Sequence, residues 1–370
     1  MTQSFYQKYR PVQLTDVVGQ EKIIASLCKE AESNAFSHAY LLSGSFGSGK
    51  TTTARILATL LTCKNRKGHV VCGTCHSCKA IHAGHCIDVR EMDGASKRGI
   101  DDVRHIIETA QYTPQELERK VYIVDEIHAL TKDASSALLK ILEEPPPYVV
   151  FILCTTDARK LLPTIMSRCQ RFNFTKIDIT LMAKHLVKIA TGEKIKLDEG
   201  SALAIARMSH GSLRDALGFL EQIAIAYSQK VVLENVRSYF GVPEKRLVNE
   251  IVQMIVNINA TGLLDKVNEL LVAGVDIKVI LVELSELFRS IFIIKSSGAN
   301  SGLIDAEKDE REVLQSLANK ITLSGLIKIA GLFGKIERDV SININERWIL
   351  EAALVNCILI VKNEAIKPKA

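Results

Sequence analysis

Aromatic side chains are scarce: Phe, Tyr and Trp make up 5% of the 370 residues, and Trp348 is the only tryptophan. Its cores must therefore come from aliphatic side chains, within a hydrophobic content of 47% that excludes a disordered chain. Charge of one sign is also missing. A net charge of +5 is too small at this length to argue nucleic-acid binding by itself, so any such contact must come from local basic residues. No uncharged apolar run approaches the roughly 18 residues of a membrane span. The opening stretch MTQSFYQKYRPVQL has no apolar h-region either. These absences predict a cytoplasmic protein without membrane contact. Internal repeats and low-complexity tracts are absent, and the terminal lysines read as a frayed end. Cys28, Cys154, Cys169 and Cys357 are scattered in apolar or mixed contexts, the pattern of reduced thiols rather than a disulfide framework.

The length predicts two or three domains. Between about Ala39 and Thr156, short apolar runs (HAYLLSG, CIDVREMD, KVYIVDE, VVFILCTT) alternate with helical stretches, which predicts a parallel α/β sheet. In TKDASSALLKILEEPPP, Thr131 reads as an N-cap and Pro145 as the stop. Ala134, Ala137, Leu138, Ile141 and Leu142 share one face of that helix. From Asp178 the strand signals fade into helical spacing, and Gly241 and Pro243 mark a linker to an all-helical remainder. The expected domains are an α/β unit over residues 1–177, a small helical unit over 178–241 and a helical unit over 243–370.

Residues Gly44 to Thr51, GSFGSGKT, match the phosphate-binding loop pattern in its required context, after a strand and before a helix. Glycines let the backbone wrap phosphate oxygens and aim N–H groups from a helix N-terminus. The candidate nucleotide contacts are Gly44, Ser45, Phe46, Gly47, Ser48, Gly49, Lys50, Thr51 and Thr52. Lys50 would reach the β- and γ-phosphates of ATP, and Thr51 would offer its hydroxyl to Mg2+. VYIVDEIH is an apolar strand ending in two carboxylates: Asp125 to hold the metal, Glu126 to take a proton from an attacking water. Together they argue hydrolysis.

In HGSLRDAL, Ser212 reads as an N-cap closed by Asp215, which puts Arg214 in the first helical turn, where the dipole disfavours a cation. Either a nucleotide phosphate or a local pair with Asp215 or Glu221 would compensate. Arg168, in LLPTIMSRC, reads on its own as a surface arginine. Thr155 and Thr156, at a strand end, could orient a water or simply reflect β-propensity.

Cys63, Cys72, Cys75 and Cys78 are spaced C-x8-C-x2-C-x2-C within residues 63–86. Thiolates so placed in a reducing compartment suit a closed tetrahedral Zn2+ site of structural rather than catalytic kind. His69, His76, His82, His85 and Cys86 are rival ligands, and the spacing is also similar to an iron–sulfur run without its following Cys-Pro. Idle thiols remain the plain alternative. The insert has too little apolar matter for a core of its own, so a metal would organise it.

YRPVQLTDVVGQ, GSFGSGKT, VYIVDEIH, LLKILEEPP, CTTD, SRC and GSLRDAL, in that order, resemble the clamp-loader branch of the AAA+ ATPases, specifically the gamma/tau subunits of bacterial DNA polymerase III. The resemblance is dense over the first 240 or so residues; beyond them only helical character and length fit the family's collar domain. It implies an AAA+ α/β domain carrying a zinc module at 63–86, then a helical lid and a helical collar. It further implies that Tyr9, Arg10, Val17 and Val18 form the adenine-side box, and that Thr156, beside Thr155, is the first sensor. Arg214 would be the second sensor, and Arg168 an arginine finger acting in trans on a neighbour's ATP. The four cysteines coincide with the family's zinc module. Lys97 and Arg98, just ahead of a helix, lie where the family tracks DNA; Gly99 stands where relatives often have another basic residue, and a solvated charge pair is the alternative. The implied partners are delta- and delta-prime-type subunits, further copies of the chain, the sliding clamp and primer-template DNA.

Three functions follow: an ATP-hydrolysing motor that opens the clamp and loads it, a non-hydrolysing scaffold or stator of the same complex, or another AAA+ DNA motor such as a branch-migration helicase. The full set of Lys50, Thr51, Asp125 and Glu126 favours the motor, because a stator needs no base.

Overall fold

The computed structural model describes residues 3–298, 308–340 and 345–366. The terminal lysines, read above as a frayed end, lie outside them. Two compact units divide between Leu233 and Glu234, ahead of the Gly241 and Pro243 linker signals.

In chain order the first unit contains α1 (Phe5–Lys8), α2 (Glu21–Ser33), β1 (Ala39–Gly44), α3 (Lys50–Thr62), α4 (His76–Ala83), β2 (Val89–Asp93), α5 (Ile100–Ala110) and β3 (Lys120–Asp125). There follow α6 (Lys132–Glu143), β4 (Val149–Thr155), α7 (Pro163–Met166), β5 (Gln170–Phe174), α8 (Ile179–Gly192), β6 (Lys196–Leu197), α9 (Glu199–Met208), α10 (Leu213–Ala226) and β7 (Lys230–Val231). Strands β1 to β5 form one parallel sheet in the order β2-β3-β4-β1-β5.

The apolar runs become this sheet because both of its faces are covered. Successive side chains point to opposite faces. Tyr40, Leu42, Val121, Ile123, Val150, Ile152 and Cys154 pack with Leu27 of α2 and Leu57 of α3. Their neighbours Ala39, Leu41, Tyr122, Val124, Phe151 and Leu153 pack with Val103 of α5 and Leu138 of α6. Thr131 caps α6 as its sequence indicated, accepting the Ala134 amide at 3.3 Å.

Two elements escape the periodicity. In β5, QRFNF, only Phe172 and Phe174 are buried, as befits an edge strand with one covered face. Within the helical stretch after Asp178, β6 and β7 form a parallel pair of two residues each, too short for any pattern to register. Around that pair α8, α9 and α10 form a small helical subdomain, capped by Asp178, Asp198 and Ser212. The Ser212 cap is only half a box: its hydroxyl accepts the Asp215 amide, but its own amide goes to the Ser209 carbonyl.

Every described element of the second unit is a helix: α11 (Leu233–Phe240), which starts at the division, α12 (Lys245–Val256), α13 (Ala260–Val272), α14 (Ile277–Ser297), α15 (Lys308–Lys320), α16 (Leu323–Val340) and α17 (Glu346–Ile366). Leu284, Phe288, Ile329, Leu354 and Cys357 lie at its core. No described helix of the chain is long and apolar enough to cross a membrane.

Asp88 is 2% exposed, and its carboxylate accepts the amides of Gln115, Glu116 and Leu117, the shortest at 2.7 Å. It pins the segment that leads into β3. Removing the acceptor leaves three amides unpaired, that of buried Leu117 among them, so Asp88→Ala should lower the unfolding free energy by about 2–4 kcal/mol. Urea denaturation measures this, and a loss below about 0.5 kcal/mol, the scale of an ordinary surface substitution, would refute it.

Candidate nucleotide site and cysteine cluster

Strand β1 delivers the phosphate loop to the carboxyl edge of the sheet, where open parallel sheets bind ligands. Its tight path depends on glycine. Gly44 has φ +149°, and a Cβ there would lie 2.3 Å from the Phe174 carbonyl oxygen. Gly47, at φ +66°, would place a Cβ 1.9 Å from Ser212 Oγ. The second contact joins the loop to the helical subdomain, because the Leu213 amide of α10 also donates to the Gly47 carbonyl at 3.2 Å.

Lys50, the first residue of α3, is 5% exposed, and its ammonium donates to the carbonyls of Gly44 (2.9 Å) and Ser45 (2.8 Å). Burial pushes its pKa down, opposed by the nearby carboxylate of Glu126. A buried ammonium in a curl of backbone fits an anionic ligand. The Ser45 hydroxyl beside it is buried with no hydrogen-bond partner.

Strand β4 lies between β1 and β3, so its end falls between the loop and the acidic pair. Thr51 Oγ1 donates to Asp125 Oδ2 at 2.7 Å. That hydroxyl and carboxylate are hard oxygen donors of the kind Mg2+ takes. Glu126 occupies the left-handed region at φ 48° and ψ 44°, a conformation costing a non-glycine residue about 1 kcal/mol or more. Its Oε2 accepts the hydroxyl of Thr156 at 2.8 Å and the Thr156 amide at 3.2 Å. Thr155 is fully buried, and its hydroxyl meets His128 Nδ1 at 3.0 Å.

The other expected residues gather less tightly. Arg10 Nε donates to Thr52 Oγ1 at 3.2 Å, and burial together with the neighbouring Arg55 lowers its pKa. Val17 is half-buried and would be 3.6 Å from a Cβ on Gly49; Val18 is half-buried as well. Phe46 is exposed, while Ser48 is buried and donates to the Ser45 carbonyl at 2.8 Å. Tyr9 and Lys8 instead reach the helical subdomain, both bonding Glu193, while the Phe5 amide donates to Glu221 at 3.0 Å. Arg214 lies over the Tyr6 ring, 4.9 Å from its centroid. Arg168 bonds Glu143 and, at 2.8 Å, the Thr164 carbonyl, partners outside the phosphate loop.

Lys97 and Arg98 are exposed on the turn between β2 and α5. Asp93 shapes this turn through the Ser96 hydroxyl and the Ala95 amide, bonds that also hold its carboxyl below the ordinary value. The Gly94 amide donates to the Asp125 carbonyl at 2.8 Å, so the basic pair hangs from the acidic strand tip.

Two residues of this site were not singled out by spacing. Gln20 is 4% exposed; its amide nitrogen donates to Ser48 O at 3.4 Å and Thr175 O at 2.8 Å, bracing the loop against the end of β5. A buried glutamine carries no periodic signal. His128 lies 3.1 Å from Glu126 Oε2, inside a motif already read for its carboxylates.

The sulfurs of Cys63, Cys72, Cys75 and Cys78 all lie within 4.8 Å of one another. Four of the edges measure 3.6, 3.9, 3.8 and 3.4 Å. A Zn–S bond of 2.3 Å implies tetrahedron edges of about 3.8 Å, so the donor set fits that ion. Amides of Thr74 and Cys75 favour the Cys72 thiolate and bring its pKa to about 6, whereas burial raises that of Cys78. The rival ligands point elsewhere: His69 pairs with Glu32, His76 with Glu116, and Cys86 packs with Ile81 and Leu117. His82 and His85 are exposed. The insert has no large core of its own and joins the core that α2 and α3 share with one face of the sheet through Val71, Cys63 and Cys78.

A glycine-lined loop and an acidic strand tip beneath a helical subdomain define a P-loop nucleotide-binding protein of AAA+ type. Comparison with known proteins narrows the class. Residues 19–178 match the family described as DNA polymerase III, delta subunit. Residues 181–230 match the DNA polymerase III clamp loader subunit, ATPase lid domain, and residues 231–368 match domain III of DNA polymerase III subunits gamma and tau. The DNA polymerase III subunit tau of Bacillus subtilis is 34% identical over 354 residues, covering 95% of this chain and 62% of that protein. The subunit tau/gamma of Haemophilus influenzae is 43% identical over 232 residues, 63% of this chain and 34% of that one. The chain thus spans less than two thirds of the length of these curated relatives. Among solved structures, the Thermotoga maritima RuvB Holliday junction branch migration motor overlays with a TM-score of 0.47 at 20% identity, covering 68% of this chain and 80% of that one; a likeness at this level carries no functional reading. The chain belongs to the gamma/tau family of DNA polymerase III subunits.

Gly47→Ala tests the contact between loop and helical subdomain. A methyl group there meets Ser212 and also strains the backbone, so stability should fall by about 1–3 kcal/mol. Thermal denaturation checks it; an unchanged melting temperature would show that the loop and α10 separate freely.

Proposed function

We propose that this chain is an ATP-hydrolysing subunit of a bacterial DNA polymerase III clamp loader. The observation that carries the reading is the junction of Thr51 with Asp125 at 2.7 Å, which places the phosphate loop and the acidic strand tip at one point. In this reading Lys50 exchanges its two carbonyl partners for β- and γ-phosphate oxygens, while loop amides take the remaining charge. Thr51 and Asp125 hold Mg2+, which when bound neutralises charge on those oxygens. Glu126 accepts a proton from the attacking water once it leaves Thr156, and Thr156 is then free to sense the γ-phosphate. Tyr9, Arg10, Val17 and Val18 form the adenine side.

Arg214, on the first turn of α10, moves from Tyr6 to the phosphates. Arg168 serves a neighbouring subunit, with Glu143 holding its guanidinium ready. Such a site is complete only in an assembly, so further copies of this chain and delta- and delta-prime-type subunits are the proposed neighbours, acting on the sliding clamp and primer-template DNA. Lys97 and Arg98 are the proposed contacts to DNA phosphates. The four cysteines hold one structural Zn2+, which fastens the insert to the sheet.

Lys50→Ala should weaken ATP binding at least about a hundredfold, the weight of a charge-assisted contact to a buried phosphate. Glu126→Gln should still bind ATP while losing turnover in the assembled complex. Isothermal titration and phosphate release measure the two effects; hydrolysis that survives Lys50→Ala would sink the motor reading.

Metal analysis of protein purified without chelators should find one zinc per chain. Cys75→Ser should lose that zinc and unfold at lower temperature. A wild-type protein free of zinc would remove the metal from the account.

A further inference from the structure

Positive charge without a counter-charge is concentrated in one part of the first unit. Between Glu32 and Asp88 the chain carries no acidic residue, while Lys50, Arg55, Lys64, Arg66, Lys67 and Lys79 fall within that stretch. Lys50 serves the phosphate loop, and Arg55 is paired with Glu91 at 2.7 Å. The other four belong to the cysteine insert. Lys64 and Arg66, with Asn34 and Thr62 at the ends of α2 and α3 and with Glu118 and Arg119 ahead of β3, line a cleft of about 410 Å3. These segments lie at the amino edge of the parallel sheet, whereas the phosphate loop leaves its carboxyl edge. The length of α3, about 20 Å, separates the two.

Arg66 is built into the wall of this cleft. Its guanidinium donates to the carbonyls of Ala31 at 2.6 Å and Gly68 at 2.7 Å and to Asn34 Oδ1 at 2.7 Å, and it lies over the Phe36 ring, 5.4 Å from the centroid. Arg119 lies over the same ring at 5.8 Å. It is half-buried, and among the described residues its guanidinium has neither an ion pair nor a hydrogen bond. Two like charges sharing one ring repel, and the desolvation of an unpaired guanidinium is only partly offset by a cation–π contact. The neighbouring acids of α2 are already engaged: Glu30 with Tyr40 at 2.9 Å and Gln170 at 2.6 Å, Glu32 with His69 at 2.9 Å. Glu118 forms no ion pair among the described residues, and neither does Lys64, exposed on the same cleft. The acceptor that Arg119 lacks is thus supplied by no described residue.

We propose that this cleft is a second phosphate-binding site, which takes the backbone of a nucleic acid at the amino edge of the sheet, apart from the nucleotide site. The chemistry of its walls decides the class of ligand. A docking peptide relies on apolar anchors, and Leu61, the one aliphatic side chain lining the cleft, is itself buried. A sugar-phosphate backbone needs only cations at fixed places. The Arg119 fork matches two phosphate oxygens, Lys64 adds a point charge, and Lys67 and Lys79 extend the positive surface across the insert. The contact is independent of base sequence. It goes beyond the proposed ATPase and stands whether or not this chain hydrolyses ATP.

The test uses the full chain without ATP and a blunt DNA duplex of mixed sequence, with binding read by fluorescence anisotropy across a salt series. Lys64→Gln combined with Arg119→Gln should weaken duplex binding about tenfold at low salt. It should also lower the slope of log affinity against log salt by about 1.8, two phosphate contacts at about 0.9 each. The same drop should appear on a chain already carrying Lys97→Gln and Arg98→Gln, which separates the cleft from the turn between β2 and α5. ATP affinity within about twofold of wild type reports an intact fold. Should Arg119→Gln prove unstable, Lys64→Gln alone, at an exposed side chain, should still lower the slope by about 0.9. Affinity and slope unchanged by these substitutions, or a wild-type chain that binds no duplex, overturn the proposal. A polyglutamate peptide that binds the wild type more tightly than the duplex does, and is lost in the double variant, overturns the nucleic-acid assignment in favour of an acidic protein.

Discussion

A buried ammonium hydrogen-bonded to two main-chain carbonyls is the feature on which the phosphate loop and its surroundings depend. Lys50 is held 2.8 Å and 2.9 Å from those oxygens and is nearly sealed from water. A charge in that position is tolerable only because the loop curls around it, and the loop curls only because Gly44 and Gly47 adopt φ values that L side chains avoid. The curl needs a rigid strand to leave from. That strand, β1, stands between β4 and β5, so the ends of its neighbours converge on the same spot. The acidic pair, the two threonines at the end of β4 and the brace from Gln20 all follow from that placement.

Much of this was legible because the signals were local. The loop pattern, the acidic strand tip and the α6 cap each occupy a short window in which residue type and conformation are tightly linked. The three central strands, β3, β4 and β1, announced themselves through apolar runs buried on both faces, whereas β2, at an edge, buries only Met92. What stayed hidden depended on distant partners. QRFNF reads as ordinary polar sequence until Phe172 and Phe174 meet the core. Asp88 gave no sign that it would gather three amides from a segment nearly thirty residues away. Arg214 was expected to meet phosphate or a neighbouring carboxylate; it rests on an aromatic ring from the start of the chain.

The cysteine cluster shows the same division. Spacing alone named the four sulfurs, since ligand loops are short and local. It could not set aside His69 and His76, whose partners Glu32 and Glu116 lie far off in sequence. Nor could it show that the insert joins the core beneath α2 and α3 through Val71 and two of the cysteines.

The N-terminal arm has a mechanical corollary. Tyr9 is fastened to Glu193 at the end of α8, whereas the next residue, Arg10, is fastened to Thr52 near the start of α3. Adjacent residues span only about 3.8 Å between Cα atoms, so there is almost no slack in the tether. Wide swinging of the helical subdomain away from the sheet must therefore strain this tether as well as the bond between Leu213 and Gly47.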